Sequence, residues 1–300
     1  VSPRSAHLGM LLWALLVGFS FPAVGLMSPL PPFTLTALRF AIACTGLWWL
    51  ARRSPAFLPA PRVLPLYGLM GLCLAGFFGA MFWAAHHATA LSMATLYVTV
   101  PLLAFLLGLG FGVERLAWRL PAILALGAVG ALGLAFAESL GEGGEWRFGR
   151  GEAVFFLGCL SSALYPVLSK WGLATGRLAE SAAVRTFWSL GLGGALIGGV
   201  GLAMEPVARL ATMSWRDGLL LVYLGLFSSA LTFWLLQRAT AALTPGAVTA
   251  YGYLVPFVSM LLLFVETPAR LGWEWLPGSV LVIAAIALLL HNGRTPGPAA

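Results

Sequence analysis

Two arginines stand inside long apolar runs. Arg39 lies about six residues into a run that begins near residue 33, roughly 9 Å deep at about 1.5 Å per residue, and Arg185 lies about four residues into a run that begins near residue 181. An ionisable group at such depth is expensive and points by default to function. The side chain can also snorkel outward, or hold carbonyls at a helix end. A guanidinium suits a carboxylate, so Arg39 and Arg185 are candidates for charge recognition or gating, together with His87 at a polar turn.

A second set couples prolines to tyrosines. The stretches YVTVPLLAFLL from Tyr97 and YLVPFVSMLL from Tyr253 each carry an interior proline, Pro101 and Pro256. Such a proline frees the carbonyl four residues back, here those of Tyr97 and Gly252. Pro22 and Pro166 form a second pair, and all four are expected to break their helices. Tyr97, Tyr165, Tyr251 and Tyr253 adjoin these breaks, and buried phenols need a hydrogen-bond partner, which a polar cavity supplies. With Thr99, Pro101, Trp13, Phe82, Trp188 and Trp234 they form the expected lining of that cavity. For any single aromatic, core packing or an interfacial belt is the competing role. Ser161, Ser162 and Ser169, and Ser228, Ser229 and Thr232, add small polar groups that can instead bond back to their own helices.

The elements that must position these residues follow from composition. Of 300 residues, 60% are hydrophobic and 9% charged, against about 45–50% and about 25% in an ordinary soluble domain. The chain is therefore an all-α integral membrane protein. A spanning helix takes about 20 apolar residues, and the polar and Pro/Gly-rich breaks define ten: 8–28, 33–51, 64–86, 90–112, 119–137, 152–172, 181–203, 217–237, 245–265 and 275–291. With the N-terminus inside, the inner segments hold ten basic residues (Arg4, Arg52, Arg53, Arg62, Arg115, Arg119, Lys170, Arg177, Arg238, Arg294). The outer ones hold five (Arg147, Arg150, Arg209, Arg216, Arg270). This asymmetry puts both termini on the cytoplasmic side and accounts for the net charge of +7 without a nucleic-acid partner.

The halves repeat. FTLTALRF matches ESAAVRTF and so pairs Arg39 with Arg185; FSFPAVG matches SALYPVLS and pairs Pro22 with Pro166; Glu114 pairs with Glu266 and Pro121 with Pro277. Five spans is an odd number, so the second half must be inverted. The expected organisation is a first repeat over 1–140 (spans 1–5), an outer linker over 141–151 and a second repeat over 152–300 (spans 6–10), enclosing a central cavity. Inverted repeats with broken helices at mid-membrane typify secondary transporters.

Catalytic and ATP-driven alternatives lack their residues. No HExxH, mid-span Asp pair or GxxxxGK[ST] occurs, and His7, His86, His87 and His291 have no plausible nucleophile near them. Cys44, Cys73 and Cys159 sit in apolar runs without a metal-binding pattern. Neither an enzyme nor a metal or cofactor site is expected. Mid-span carboxylates are absent too, so no obvious proton-carrying carboxylate is available.

PPFTLTALRFAIA in span 2, and ATALSMATLYVTVPLLAFLLGLGFGVERL over spans 3 to 5, resemble the drug/metabolite transporter superfamily in its ten-span EamA-type branch. The resemblance implies metabolite export across the bacterial cytoplasmic membrane, with spans 1–4 and 6–9 around the cavity and spans 5 and 10 at the edge. Tyr97-x-x-x-Pro101, preceded by His87, is similar to the YddG-type aromatic amino acid exporters, whose pattern the chain leaves at Thr99. The implied substrate is an aromatic or other neutral amino acid, with another small metabolite or drug-like compound as the alternative.

Overall fold

The computed structural model describes residues 2–140, 149–266 and 272–292, and among these every regular element is helical. Among the described residues nine helices are long and apolar enough to span a membrane, and Trp275–His291 is a shorter tenth. In chain order they are α1 (Pro3–Gly25), α2 (Pro32–Arg52), α3 (Leu64–Ala84), the broken span α4 (Ala90–Tyr97) and α5 (Val100–Gly110), and α6 (Arg119–Leu140). The second half holds α7 (Arg150–Ala174), α8 (Ala182–Met204), α9 (Trp215–Gly225) joined by a π turn (Leu226–Leu231) to α10 (Thr232–Ala242), then α11 (Pro245–Thr249), a 3₁₀ turn (Ala250–Tyr253), α12 (Leu254–Glu266) and α13 (Trp275–Asn292). The expected linker lies largely outside the described residues, as does the side chain of Glu266.

Local chemistry sets the helix starts. Ser2 caps α1 by accepting from the Ser5 N–H, with Pro3 in the first turn, where its missing donor costs nothing. The helix therefore starts five residues before the expected boundary and draws His7 into span 1. Thr89, Ser181 and Ser214 cap α4, α8 and α9 in the same way. At the end of α5, Gly112 turns left-handed at φ 69°. The N–H groups of Val113 and Glu114 both then donate back to the Gly108 carbonyl, at 2.8 and 3.1 Å, which swings Glu114 against the bundle.

The helix pairings recur when spans 1–5 are exchanged with spans 6–10. Span 3 packs on span 6 as span 8 packs on span 1; span 4 packs on span 6 as span 9 packs on span 1; spans 2 and 7, 4 and 9, and 5 and 10 pair with one another. Spans 5 and 10 meet at Gly130 and Gly278. A Cβ at Gly130 would lie 2.9 Å from the Gly278 carbonyl oxygen, so only glycine allows this approach.

The prolines divide into two kinds. Pro101 follows the interruption at Val98–Thr99, and Pro256 follows the 3₁₀ turn that ends at Tyr253. The helices α1 and α7, by contrast, run unbroken through Pro22 and Pro166, which corrects the expectation of a break at each. Pro22 is in the last turn of α1, so the helix ends before a kink can displace a following segment, and Pro166 is buried in a helix packed along its length.

Candidate functional site

The two interrupted spans touch at their interruptions. The Tyr97 ring lies beside Gly252, where an added Cβ would be in ordinary contact, 3.7 Å from Tyr97 Cε1. From Tyr97 a line of aromatic rings crosses the centre of the bundle. Tyr97 packs on Phe77 with centroids 6.0 Å apart, and Phe77 on Phe78 at 5.3 Å. Phe78 meets the edge of Phe40 at 5.4 Å, Phe40 meets Phe233 at 6.2 Å, and Phe233 meets Tyr165 at 6.0 Å. Phe82 and Phe33 branch from Phe78 towards the far face. These edge-on and tilted contacts suit ring quadrupoles, and they draw on spans 2, 3, 4, 6 and 8.

Arg39 lies on this line. Its guanidinium carbon is 5.5 Å from the Phe78 ring centre, a cation–π distance. Nε donates to Ser229 Oγ at 2.5 Å, and Nη2 donates to the Ser228 carbonyl at 2.8 Å and the Ser228 hydroxyl at 2.9 Å. The π turn makes this possible, because it carries Ser228 and Ser229 towards α2. Among the described residues nothing bonds Arg39 Nη1, and the side chain remains partly exposed. A π turn inside a span is rare and recurs at functional sites. No sequence signature announced it.

Arg185, the matching residue of the second repeat, is built differently. It is 0% exposed. Nε donates to Gln237 Oε1 at 2.9 Å, Nη2 to the Gln237 carbonyl at 2.5 Å, and Nη1 to the carbonyls of Ala179 and Glu180 at 2.7 and 2.8 Å. All three nitrogens are engaged, so Arg185 braces a helix end, whereas Arg39 keeps a free donor.

The remaining expected residues scatter. Tyr165 is buried and shares a 2.8 Å hydrogen bond with Ser189. Tyr251 is buried and bonds His7 Nδ1 at 2.7 Å. Tyr253 turns outward onto span 5, its ring against Gly127 and its hydroxyl buried without a partner among the described residues. Thr99 donates to the Leu96 carbonyl at 2.6 Å, inside the interruption of span 4. Trp188 and Trp234 pack on the edge of the main core and on a smaller cluster with Phe57, Ala51 and Val184, where Trp188 Nε1 donates to the Phe57 carbonyl at 2.7 Å. Trp13 is half-buried against the main core. His87 is exposed and stacks on Trp83 with ring centres 3.9 Å apart, remote from the tyrosines.

Carboxylates at the helix ends tie the repeats together. On the face opposite the N-terminus, Glu205 accepts from the Phe33 and Thr34 N–H groups at 2.7 and 2.8 Å. Asp217 accepts from the Ser28 N–H at 2.9 Å and from its hydroxyl at 3.0 Å. Glu152 accepts from the Ser92 hydroxyl and the Thr89 N–H. On the N-terminal face, Glu114 accepts from the Gly246 N–H at 2.7 Å, at the start of span 9. Burial pushes the Glu114 carboxyl above its ordinary range, and the Gly246 N–H, the Thr244 hydroxyl and Lys170 partly offset this. Each is a carboxylate at a helix start, where it is favoured, and each joins one half to the other. Asp217 also closes a capping box with Ser214, accepting from its N–H at 2.9 Å and its hydroxyl at 2.7 Å.

These bonds bridge the two halves on both faces. Among the described residues, cavities of about 570 and 350 Å³ open on the flanks, one between α12 and α13 beside Trp273 and Trp275, the other between α3, α7 and α8 beside Trp83 and Ser161.

An all-helical bundle of paired five-span halves, with two interrupted helices in contact, fits a membrane transporter. The comparisons agree. The model of the EamA-like transporter family matches residues 149–291. A probable terminal-alkyne amino-acid exporter of Streptantibioticus cattleyicolor is 30% identical over 273 residues, 88% of this chain and 84% of that protein. The uncharacterized inner membrane transporter YedA of Escherichia coli K12 is 28% identical over 89% of this chain and 84% of its own length. The uncharacterized transporter YcxC of Bacillus subtilis is 23% identical over 94% and 91%. A solved crystal structure of 23% identity superposes with a TM-score of 0.79 over 97% of this chain and 98% of its own, which shows a shared fold. The chain belongs to the EamA-like transporter family of the drug/metabolite transporter superfamily.

Proposed function

We propose that the protein exports amino acids, aromatic or other neutral ones, across the bacterial cytoplasmic membrane by alternating access, with both termini in the cytoplasm. The observation that carries this reading is Arg39, a guanidinium with one unengaged nitrogen held beside a line of aromatic rings between the two repeats. The free nitrogen suits a carboxylate. The rings of Phe78, Phe40, Phe233, Tyr97 and Tyr165 suit a flat apolar side chain. The Tyr97 carbonyl, deprived of its helical donor by Pro101, suits an ammonium group. The name of the relative from Streptantibioticus cattleyicolor supports an amino-acid substrate. The repeats are read as residues 1–140 and 152–300, with Pro101 and Pro256 as the breaks around which they rock.

In this reading Thr99, Trp13 and Phe82 line the path when it opens. Trp188 and Trp234 close it on the N-terminal side, and Tyr251 and Tyr253 support the break of span 9. The test is growth of cells with and without the protein on toxic analogues of phenylalanine and tryptophan. Protection against them is the expected result. No protection against any amino-acid analogue would transfer the reading to another small metabolite or drug-like solute.

A further inference from the structure

A buried histidine outside the aromatic line is the least explained polar group of the bundle. His7 is 5% exposed, inside span 1, and its Nδ1 is 2.7 Å from Tyr251 Oη in span 9. The bond therefore crosses from one repeat to the other. Its other nitrogen, Nε2, is buried with no partner among the described residues. Neither tautomer relieves this. If Nδ1 accepts from the phenol, Nε2–H lacks an acceptor; if Nδ1–H donates, the Nε2 lone pair lacks a donor. A buried polar atom left unpaired costs about 1–3 kcal/mol, and such an orphan is removed by any state that admits water to Nε2.

The surroundings single out His7 as the titrating group. The elements packed against α1 are α9, the π turn, α10, the 3₁₀ turn and α12. On α9, Arg216, Asp217 and Tyr223 belong to the opposite end of the bundle, where Asp217 holds Ser28. On α10, Arg238 lies over the Trp234 ring at 5.3 Å. The π turn carries no titratable side chain, and on the 3₁₀ turn Tyr253 faces Gly127 while Tyr251 faces His7. On α12 the one acidic residue is Glu266, at its far end. On α1 itself, Arg4 is exposed. Tyr251 in turn adjoins Gly252, beside which the Tyr97 ring lies, so the His7–Tyr251 bond bears on the contact between the two interrupted spans.

We infer that His7 is a proton-binding site coupled to the opening of the N-terminal face. In the closed form the ring is neutral, because a second N–H would be buried without an acceptor. When spans 1 and 9 separate, water reaches Nε2 or Nδ1 and one proton binds there, forming one N–H bond. Closure requires that proton to return to water on the same side. Proton binding thus favours the open N-terminal face, and acid on that side holds back the transport cycle.

This inference rests on the transporter reading, and two measurements separate the two. The first needs no solute: ¹³C-histidine-labelled protein in lipid nanodiscs is titrated from pH 5 to 9, and His7→Gln identifies the His7 signal. A His7 signal that titrates in this range is expected; one that stays fixed overturns the site. The second is phenylalanine flux in proteoliposomes with equal pH on both sides. Wild-type flux is expected to fall towards tenfold per pH unit below the His7 transition, as one-proton linkage requires. His7→Gln, which retains a hydrogen-bonding side chain, is expected to keep its flux and lose this dependence, and Tyr251→Phe to move the midpoint. Identical pH profiles for wild type and His7→Gln overturn the coupling. If His7 titrates while no solute moves in wild type, the exporter reading fails and the proton site stands.

Discussion

Arg39 holds Ser228 twice, through its carbonyl at 2.8 Å and its hydroxyl at 2.9 Å, and in doing so fastens span 2 of the first repeat to the π turn of the second. The contact stands where the two repeats must part if the path is to open. Among the described residues the same guanidinium leaves one nitrogen without a partner beside Phe78, which is the nitrogen that the proposed function assigns to a solute carboxylate.

Arg39→Lys retains the charge and loses the fork. A hydrogen bond to a charged group is worth about 1.5–3 kcal/mol, so the KM for amino-acid flux is expected to rise by at least about tenfold while the protein reaches the membrane in normal amounts. Flux assays on reconstituted protein check this. An unchanged KM would mean that Arg39 serves only to brace the π turn.

Arg185→Met separates the two arginines. The carbonyls of Ala179 and Glu180 lose their side-chain donor, at about 1–3 kcal/mol for each left buried and unpaired, while the Gln237 carbonyl keeps the Thr240 hydroxyl. A fall in thermal midpoint of roughly 5–15 °C in detergent is expected, with Arg39→Lys close to wild type in the same assay. Equal midpoints for the two variants would deny Arg185 its bracing role.

Glu114 carries a pH prediction. Burial raises its carboxyl above the unfolded value, so the folded state binds that proton more tightly than the unfolded state. The stability that this adds is fully present below the unfolded value and is lost as pH rises through the folded one. Glu114→Gln keeps an acceptor for the Gly246 N–H and removes the titration. Melting curves between pH 4 and 8 are expected to show this variant losing less stability than wild type as pH rises. Glu114→Ala, which leaves the Gly246 N–H unpaired, is expected to be less stable than Glu114→Gln at every pH.

The meeting of Tyr97 with Gly252 gives the prolines a role to test. Replacing Pro101 or Pro256 by alanine restores a donor to the carbonyls of Tyr97 and Gly252 and lets each helix run through its interruption. Flux is expected to change several-fold with insertion and yield unaltered. Variants that transport as wild type would reduce both prolines to packing.

Much of the fold was legible because a bilayer leaves few solutions. Apolar runs of about 20 residues bounded by Pro, Gly and charge set the spans to within a few residues, and matched segments such as FTLTALRF and ESAAVRTF set the pairing of Arg39 with Arg185. What escaped was decided by caps and by partners far along the chain. Ser2 and Pro3 extended α1 and buried His7, which the hydropathy of the run had left outside. The π turn meets its partner Arg39 from about 190 positions along the chain, with no local motif to mark it. Glu205 meets Thr34 across 171 positions, beyond the reach of spacing. Equivalent sequence positions also acquired unlike surroundings, as Arg39 and Arg185 show, because packing breaks the symmetry that duplication supplies.

The central claim is that the path between the repeats recognises an amino acid and that Arg39 holds its carboxylate. Counterflow tests it most directly: vesicles containing the purified protein are loaded with unlabelled phenylalanine and diluted into a trace of labelled phenylalanine. The account predicts transient, saturable accumulation of label, competed by other neutral amino acids, unaffected by phenethylamine, which lacks the carboxylate, and strongly reduced in Arg39→Lys. No accumulation with any neutral amino acid, or equal competition by phenethylamine, would contradict it.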